Sequence, residues 1–433
     1  MTLALAAVAT ALLCLAAASL GAAGDVALVS GPNVVDDGFE IDDQVPAISG
    51  DGRWVAFVRD FYSSGSAVYL RDMRGGTLPV DVPAEKGQEG SGPGAGTPSI
   101  SASGRFVAFA SEDPDVSDED RDSQTTPAGD TFGVRDVFVY DRADGRVELV
   151  SRRGGPRGED ANQDSSLPSI SADGRWVAFQ TNATNLRRGA YGGIFVRDLR
   201  RHTTKAAAWV RLRANPPFDG GYAPSISAHG RRVAFLSVAH LDRGHALEVA
   251  VRDMKGNRTI YASRADGRRG ALAGEDCARP EISAGGRYVV FSSEAKNLSG
   301  ADKGSVEDVF RRDLKTNRTE LVSRAQGPRG AGGNGDSSNA SISANGRYVA
   351  FESYASNLGP AENSAIPDVF VRDMRSGRVT LVSRGAAGPA NAPSANPSIS
   401  ADGRFVAYDS RGSNLDPADP LRETSVFRFQ LLP

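Results

Sequence analysis

Cysteine and histidine are scarce in this chain of 433 residues. Of its two cysteines, Cys14 lies in an apolar N-terminal run, so Cys277 stands alone in the rest of the chain. A lone cysteine cannot form an internal disulfide, and the fold must therefore be held by its packed core. Neither a Gly-x-Ser-x-Gly elbow nor a phosphate-binding loop is present, which argues against an elbow-type serine hydrolase and a nucleotide-binding enzyme.

An excess of charge of one sign is also lacking. The 50 basic and 53 acidic residues are well mixed and leave a net charge of −3. A nucleic-acid-binding protein would show a basic stripe, so we expect no nucleic-acid partner. Beyond the N-terminus no stretch approaches the roughly 18 apolar residues that a membrane-spanning helix needs.

The N-terminus differs from the rest of the chain. Residues 2–24 carry no charged side chain, and Thr2–Ala18 is a nearly continuous apolar stretch followed by small residues. This pattern predicts a secretory signal over residues 1–24, and a secreted or periplasmic, cell-envelope location for residues 25–433. An uncleaved N-terminal anchor is the alternative, because the basic residues that usually open a signal are missing.

One motif, close to Pro-Ser-Ile-Ser-Ala-Asp-Gly-Arg-aromatic-Val-Ala-Phe, occurs seven times along the chain. Its isoleucines lie 52 to 70 residues apart, at Ile48, Ile100, Ile170, Ile226, Ile282, Ile342 and Ile399. A repeat of this period is typical of units that stack or close into a ring.

Each copy of the repeat predicts four strands, because runs of alternating β-branched and aromatic residues are separated by turns rich in Gly, Asn and Asp. In the sixth copy the predicted strands are Ala340–Ser343, Tyr348–Glu352, Asp368–Arg372 and Val379–Ser383. Tight turns that end in glycine join the first strand to the second in all seven copies, so each unit is a four-stranded antiparallel sheet. Seven such sheets arranged radially make an all-β, seven-bladed β-propeller, which we predict as a single domain over residues 25–433.

The two ends of the chain favour a closed ring. The seventh copy shows three strands before Pro433, and Val26–Ser30 resembles the fourth strand of the other copies. We therefore expect this N-terminal strand to complete the last blade, which would remove the open edges of the array.

The motifs Pro-Ser-Ile-Ser-Ala-Asp-Gly-Arg (397–404), Val-Ala-Phe (349–351), Asp-Val-Phe-Val-Arg-Asp (368–373) and Leu-Val-Ser (381–383) recur over nearly the whole chain after the signal. They resemble the TolB-type, or PD40, propeller repeats of bacterial exported proteins. Propellers of this kind include interaction modules, and related rings form parts of peptidases and lyases. The resemblance thus implies the fold and leaves the function open.

Two charged residues recur in the repeat. Arginine follows the turn glycine in all seven copies, and aspartate ends the third strand in six, with Gln430 in the last. Since a binding site is usually asymmetric, we interpret both as scaffold, with the aspartate bonded to the next turn and the arginine covering the hairpin. The aromatic residues before Val-Ala-Phe, such as Trp54 and Phe106, are predicted to pack between blades; stacking on a sugar is the alternative.

Strand order predicts that one face of the ring carries short turns and the other carries long connections: Ala110–Arg135, Arg152–Leu167, Ser292–Glu307 and Arg384–Asn396 are examples. Loops on a rigid scaffold carry most binding functions, so we expect the looped face to be the working surface. Two of its loops, one of them Gly31–Val45, are acidic, and we predict binding by Asp36, Asp37, Asp42, Asp43, Asp113, Asp115, Asp118, Asp120 and Asp122. We expect no cofactor; carboxylate-rich loops also suit Ca²⁺, and solvated loops without a ligand are a further alternative.

From these features we expect a noncatalytic, monomeric module that binds a protein or a cell-envelope glycan through the looped face. The alternative is a polysaccharide lyase or hydrolase whose site lies in the axial funnel. The lyases among the resembling proteins imply three histidines on a metal ion. The four histidines of this chain do not converge in that way, because two fall on the short-turn face and two share one loop: His202, His229, His240 and His245.

Overall fold

The computed structural model describes residues 24–30, 41–61, 65–80, 97–112, 116, 134–209, 219–241, 244–302, 304–359, 366–419 and 423–432. Within these ranges the chain forms strands and turns without a helix, and so none that could cross a membrane. The strands form seven four-stranded antiparallel sheets, with a short hairpin between the sixth and the seventh. The predicted all-β, seven-bladed propeller is confirmed.

The strands of each blade are counted here from the axis outward, and the blades are counted in chain order. The first strands are Ile41–Ile48, Ser99–Ile100, Ser165–Ile170, Asp219–Ile226, Cys277–Ile282, Ser337–Ile342 and Ser394–Ile399. The second strands are Trp54–Phe61, Phe106–Ser111, Trp176–Thr181, Arg232–Leu241, Tyr288–Ser293, Tyr348–Ser353 and Phe405–Ser410.

The two outer positions complete each blade. The third strands are Gly65–Asp72, Asp136–Asp141, Gly193–Asp198, Gly244–Asp253, Asp308–Asp313, Asp368–Asp373 and Ser425–Gln430. The fourth strands are Thr77–Pro79, Arg146–Leu149, Thr203–Trp209, Arg258–Tyr261, Arg318–Leu321, Val379–Leu381 and Val26–Leu28. The additional hairpin pairs Arg384–Gly385 with Gly388–Pro389.

The ring is closed by the N-terminal strand. Val26–Leu28 pairs antiparallel with Ser425–Gln430, the third strand of the last blade. Gly24 N–H extends this pairing by donating to the carbonyl of Gln430 at 2.7 Å. The last blade is therefore built from both ends of the chain, and its outer edge is covered as the sequence predicted.

The turn glycines hold neighbouring blades together. Gly104 has φ +67°, and a Cβ atom placed on it would lie 2.3 Å from Trp54 of the preceding blade. Gly346 has φ +74° and faces Tyr288 in the same way, at 2.1 Å. In six of the seven blades the backbone of the turn therefore rests on the aromatic ring of the blade before it, and in the fifth it rests on Arg232; these aromatic residues lie between blades as predicted.

The recurring arginine and aspartate form one structural unit. In the first blade Arg53 donates to both carboxylate oxygens of Asp72, at 2.9 and 2.7 Å, and Asp72 also accepts from the backbone N–H of Arg74. Ion pairs between equivalent residues occur in five other blades. The scaffold interpretation of both residues holds, with the addition that they pair with each other.

The connections that follow the fourth strands lie at the outer edge between blades rather than wholly on the looped face. Residues 152–160, 264–272 and 324–332, here called the interblade straps, are each closed by one β-bridge. In the second of these, Gly267 N–H donates to the carbonyl of Asn317 in the next blade at 2.7 Å. Arg312 of that blade donates to the carbonyls of Ala265 and Gly267, both at 2.9 Å. The straps therefore tie each outer strand to the following blade.

Candidate functional site

The first strands form the inner wall of the ring. Each contacts the first strand of the next blade, and the contacts run around a closed circle. In most blades a serine hydroxyl accepts a hydrogen bond from the motif isoleucine of the next blade, as Ser225 does from Ile282 N–H at 3.0 Å. In the fifth blade Glu281 takes the place of the serine and accepts from Ile342 N–H, also at 3.0 Å. One carboxylate therefore interrupts a ring of hydroxyl groups.

Glu281 has the properties of a proton-exchanging group. Burial raises the pKa of its carboxyl from the ordinary 4.5 to about 7, against the opposing effect of hydrogen bonds from Ile342 and Ser341. Both of those bonds go to Oε1, and Oε2 receives none from the residues that the structure describes. A carboxyl that titrates near neutral pH and has one oxygen without a hydrogen-bond donor among the described residues can act as a general base or acid.

A bulge precedes the serine or Glu281 position in six of the seven first strands. It contains a residue with positive φ that is not glycine: Val45, Leu167, Ala223, Arg279, Asn339 and Asn396, with φ between 42° and 53°. Bulges re-aim side chains next to active sites. The exposed Arg279 of the fifth blade places Nη1 3.5 Å from Oδ1 of Asn396 in the seventh. Because the sixth blade lies between them, this contact spans the mouth of the axial channel.

Two carboxylates on neighbouring second strands support this part of the mouth. Glu352 accepts from Asn339 Nδ2 at 2.7 Å and from the backbone N–H of Asn396 at 3.1 Å. Asp409 accepts from Asn396 Nδ2 at 2.8 Å and from Val45 N–H at 3.0 Å. Burial raises the pKa of Asp409. Both carboxylates fix the bulges of the next blade, so we regard them as positioning residues.

The neighbouring part of the inner ring, in blades three and four, exposes apolar side chains. Leu167 and Tyr222, on the first strands of the third and fourth blades, are 39% and 45% exposed. In the fourth blade, Leu236 occupies the second-strand position that Glu352 and Asp409 hold in the sixth and seventh blades. Apolar walls with a few convergent polar groups are typical of ligand sites. The charged sector of blades five to seven and the apolar sector of blades three and four thus form an amphipathic mouth.

The four histidines belong to the third and fourth blades. His202 and His229 lie in turns of different blades, where their Nδ1 atoms are 3.5 Å from Glu148 and 3.1 Å from Asp173, respectively. His240 and His245 face each other as backbone partners in the long hairpin of the fourth blade. Across the described ranges no group of three or more His, Cys, Asp or Glu residues could hold a metal ion.

The acidic residues predicted from the sequence are only partly described. Asp36, Asp37, Asp113, Asp115, Asp118, Asp120 and Asp122 lie outside the described residues. Asp42 and Asp43 lie in a first strand, which begins at Ile41, so the acidic loop expected to run to Val45 ends earlier.

Their carboxylates are engaged within the protein. Both oxygens of the buried Asp43 accept from Arg59, at 2.7 and 2.8 Å. Asp42 accepts from Thr424 N–H at 2.9 Å. Because Arg59 and the backbone N–H of Thr424 bind these carboxylates, one strand can contain two adjacent acidic residues. The proposed binding role of the acidic loops stays a prediction.

Sequence reasoning overlooked Glu281 because it sits inside the motif that was interpreted as scaffold. Pro280-Glu281-Ile282 stands where five other copies have serine before the isoleucine and the first has Ala47. Alignment of the seven copies with one another, position by position, would have singled out this residue.

No family model and no curated protein sequence matches this chain. Among solved structures, an oligogalacturonate lyase in complex with manganese matches with a TM-score of 0.54 at 11% identity, over 95% of this chain and 99% of the lyase. A prolyl endopeptidase matches at 0.52 and 13% identity, over 86% of this chain and 46% of the peptidase. TolB from Acinetobacter baumannii matches at 14% identity, over 90% of this chain and 79% of TolB, but its TM-score of 0.41 supports no further argument.

These similarities show the propeller fold, and they correct the expectation of a noncatalytic binding module. The lyase is matched over nearly its entire length, so a ring of this architecture carries catalysis without a further domain. Manganese accompanies that lyase, whereas the described residues here contain no matching ligand cluster. The described residues therefore do not fit a manganese centre.

Proposed function

We propose that this chain is an exported enzyme that cleaves an acidic polysaccharide by β-elimination in the mouth of the axial channel. The observation that carries the proposal is the carboxyl of Glu281, which titrates near pH 7 at the one position where the serine ring is interrupted by an acid. The similarity to an oligogalacturonate lyase, a propeller of nearly the same extent, supports this reaction class. Export rests on the apolar N-terminal run of the sequence.

The elimination assigns separate roles to two residues. Glu281, once ionised, removes the proton from the sugar carbon next to the substrate carboxylate. The electron pair forms a carbon–carbon double bond as the glycosidic C–O bond breaks, and the departing oxygen takes up a proton from solvent water. Arg279 pairs with the substrate carboxylate and stabilises the negative charge that develops there.

A glycoside hydrolase is less well supported by the same residues. Hydrolysis commonly uses two carboxyl groups flanking the scissile bond. Glu352 and Asp409 are held by hydrogen bonds to the bulge residues, as described above. Oε2 of Glu281 accepts no hydrogen bond from the described residues, and an elimination requires only one base.

The proposal is tested by the ultraviolet absorbance of the unsaturated product formed from polygalacturonate, alginate or heparin. We expect Glu281→Gln to lower kcat at least 100-fold, since general-base catalysis contributes about 10²–10⁴-fold. Glu294→Gln, which alters an exposed carboxylate of the same blade, is the matched control and should retain activity. Turnover by Glu281→Gln at the wild-type rate, or the absence of an unsaturated product from all three polymers, would exclude this function.

A further inference from the structure

A groove of about 740 Å³ lies between the fourth and fifth blades at the outer edge of the ring, away from the axial mouth. Its walls carry six arginines: Arg232, Arg258, Arg264, Arg268, Arg269 and Arg312. The carboxylate among its lining residues, Asp253, is paired with Arg231 at 3.1 Å. The groove therefore holds a strong excess of positive charge.

The fourth-strand position in the wall of this groove carries different side chains in different blades. In the second blade Glu148 of the fourth strand lies 3.7 Å from the buried Arg197 of the next blade. Glu320 holds the same position in the fifth blade, where it pairs with Arg311 at 2.5 Å. In the fourth blade this position is Ile260 and its partner across the ladder is Val251, so the ion pair of the fifth blade is absent from the groove.

Arg312 is a buried guanidinium in the wall of this groove. It is 2% exposed, and its hydrogen bonds go to strap carbonyls and to the hydroxyl of Thr319. Burial lowers the pKa of Arg312. Asp266 and Asp313 lie nearby as attractive charges. An anion bound in the groove would add to this attraction.

Three further arginines can reach such an anion. Arg258, Arg268 and Arg269 are exposed and form no ion pair with the part of the chain that the structure describes. Tyr261 adds a half-buried aromatic ring to the same wall, with the guanidinium of Arg264 5.8 Å from its centre. The lining thus combines bidentate donors for carboxylate groups with a flat apolar surface.

We propose that this groove binds an acidic oligosaccharide segment and holds the polymer at a second site outside the axial mouth. The choice of an acidic polysaccharide as ligand rests on the proposed function, whereas the anion site itself rests on the arginine-lined groove and its three exposed arginines. A nucleic acid is disfavoured, because the chain carries a net charge of −3 and its arginines are confined here to one short groove.

The test measures the stoichiometry of a galacturonate hexasaccharide by titration calorimetry on the full chain. The parent protein carries Glu281→Gln, so the ligand is not degraded. We expect two sites in this parent and one after the added change Ile260→Glu, which places a carboxylate in the groove. Arg268→Ala with Arg269→Ala should weaken the second site at least tenfold. Arg329→Ala, in the equivalent strap of the fifth blade, is the matched control and should change nothing.

A gain-of-function variant tests the proposal independently if one of the other variants does not fold. Glu320→Ile removes the corresponding carboxylate of the next blade, and we expect it to create an additional weak site there. Unchanged stoichiometry in folded Ile260→Glu protein would overturn the proposal. So would an oligonucleotide of equal charge that binds the groove more tightly than the hexasaccharide. The kcat on short substrates is also measured for Ile260→Glu in a chain that retains Glu281. This variant should keep the wild-type kcat, so loss of the groove is distinguished from failure of the axial site.

Discussion

The raised pKa of Glu281 predicts a stability change that is independent of any substrate. Its carboxyl titrates at about 7 in the folded protein, against an ordinary value of 4.5. Each pKa unit corresponds to about 1.4 kcal/mol, so the ionised carboxylate costs the folded state about 3 kcal/mol. Glu281→Gln removes the charge, preserves the shape, and leaves an amide oxygen that can accept from Ile342 N–H.

The sign of the effect follows from proton binding. Below pH 4.5 the carboxyl is protonated in both the folded and the unfolded chain, and the variant should match the wild type. Between pH 4.5 and 7 the folded state binds more protons than the unfolded state, so this residue makes stability fall as the pH rises. Above pH 7 the variant should be more stable than the wild type by about 3 kcal/mol.

Urea unfolding of both proteins at pH 4 and pH 8 measures this difference. Other buried carboxyls titrate in the same range, but they are present in both proteins and cancel in the comparison. Glu294→Gln, which removes an exposed charge, should leave the free energy of unfolding within about 0.5 kcal/mol at either pH. An equal difference between wild type and Glu281→Gln at both pH values would refute the reasoning.

Three further predictions concern the site and the scaffold. The kcat/KM for an acidic polysaccharide should rise as Glu281 ionises and level off above pH about 7, as a pH–rate profile would show; a flat profile would contradict the role of base. Arg279→Ala should lower kcat/KM by about 10- to 100-fold, since a charged hydrogen bond is worth about 1.5–3 kcal/mol, with partial recovery in Arg279→Lys. Gly104→Ala should destabilise the fold by about 2 kcal/mol more than Gly145→Ala. Both glycines have φ near +70°, but only Gly104 faces an aromatic ring, that of Trp54. Equal losses in thermal unfolding would show that the ring contact is unimportant.

The fold was predictable because its signals are local and repeated. Turn glycines and alternating residues located the blades, and the sixth blade has its second strand at Tyr348–Ser353, one residue beyond the predicted end. Its first strand begins at Ser337, three residues earlier than predicted. The difference has a physical cause: the bulge at Asn339 breaks the alternation that defines a strand in sequence.

The site was not predictable in the same way, because it depends on closure of the ring. Arg279 and Asn396 are 117 residues apart and meet only when the fifth and seventh blades face the same channel. The interblade straps were likewise assigned to the looped face, since sequence does not show that Gly267 reaches the turn at Asn317 in the next blade. Local patterns specify each blade, whereas contacts across the channel and between outer edges follow from the curvature of the whole array.

Repetition also separates structural carboxyls from a functional one when their pKa values are alike. Burial raises the pKa of Asp308 to about 7, the same value as for Glu281. Asp308, however, accepts from Ser323 at 2.5 Å, and the equivalent Asp368 accepts from Ser383 at 2.6 Å. A buried pair that recurs from blade to blade serves the scaffold. Glu281 breaks the repeat at a single position beside Arg279, and an asymmetric exception in a symmetric ring is where a substrate with one orientation can be recognised.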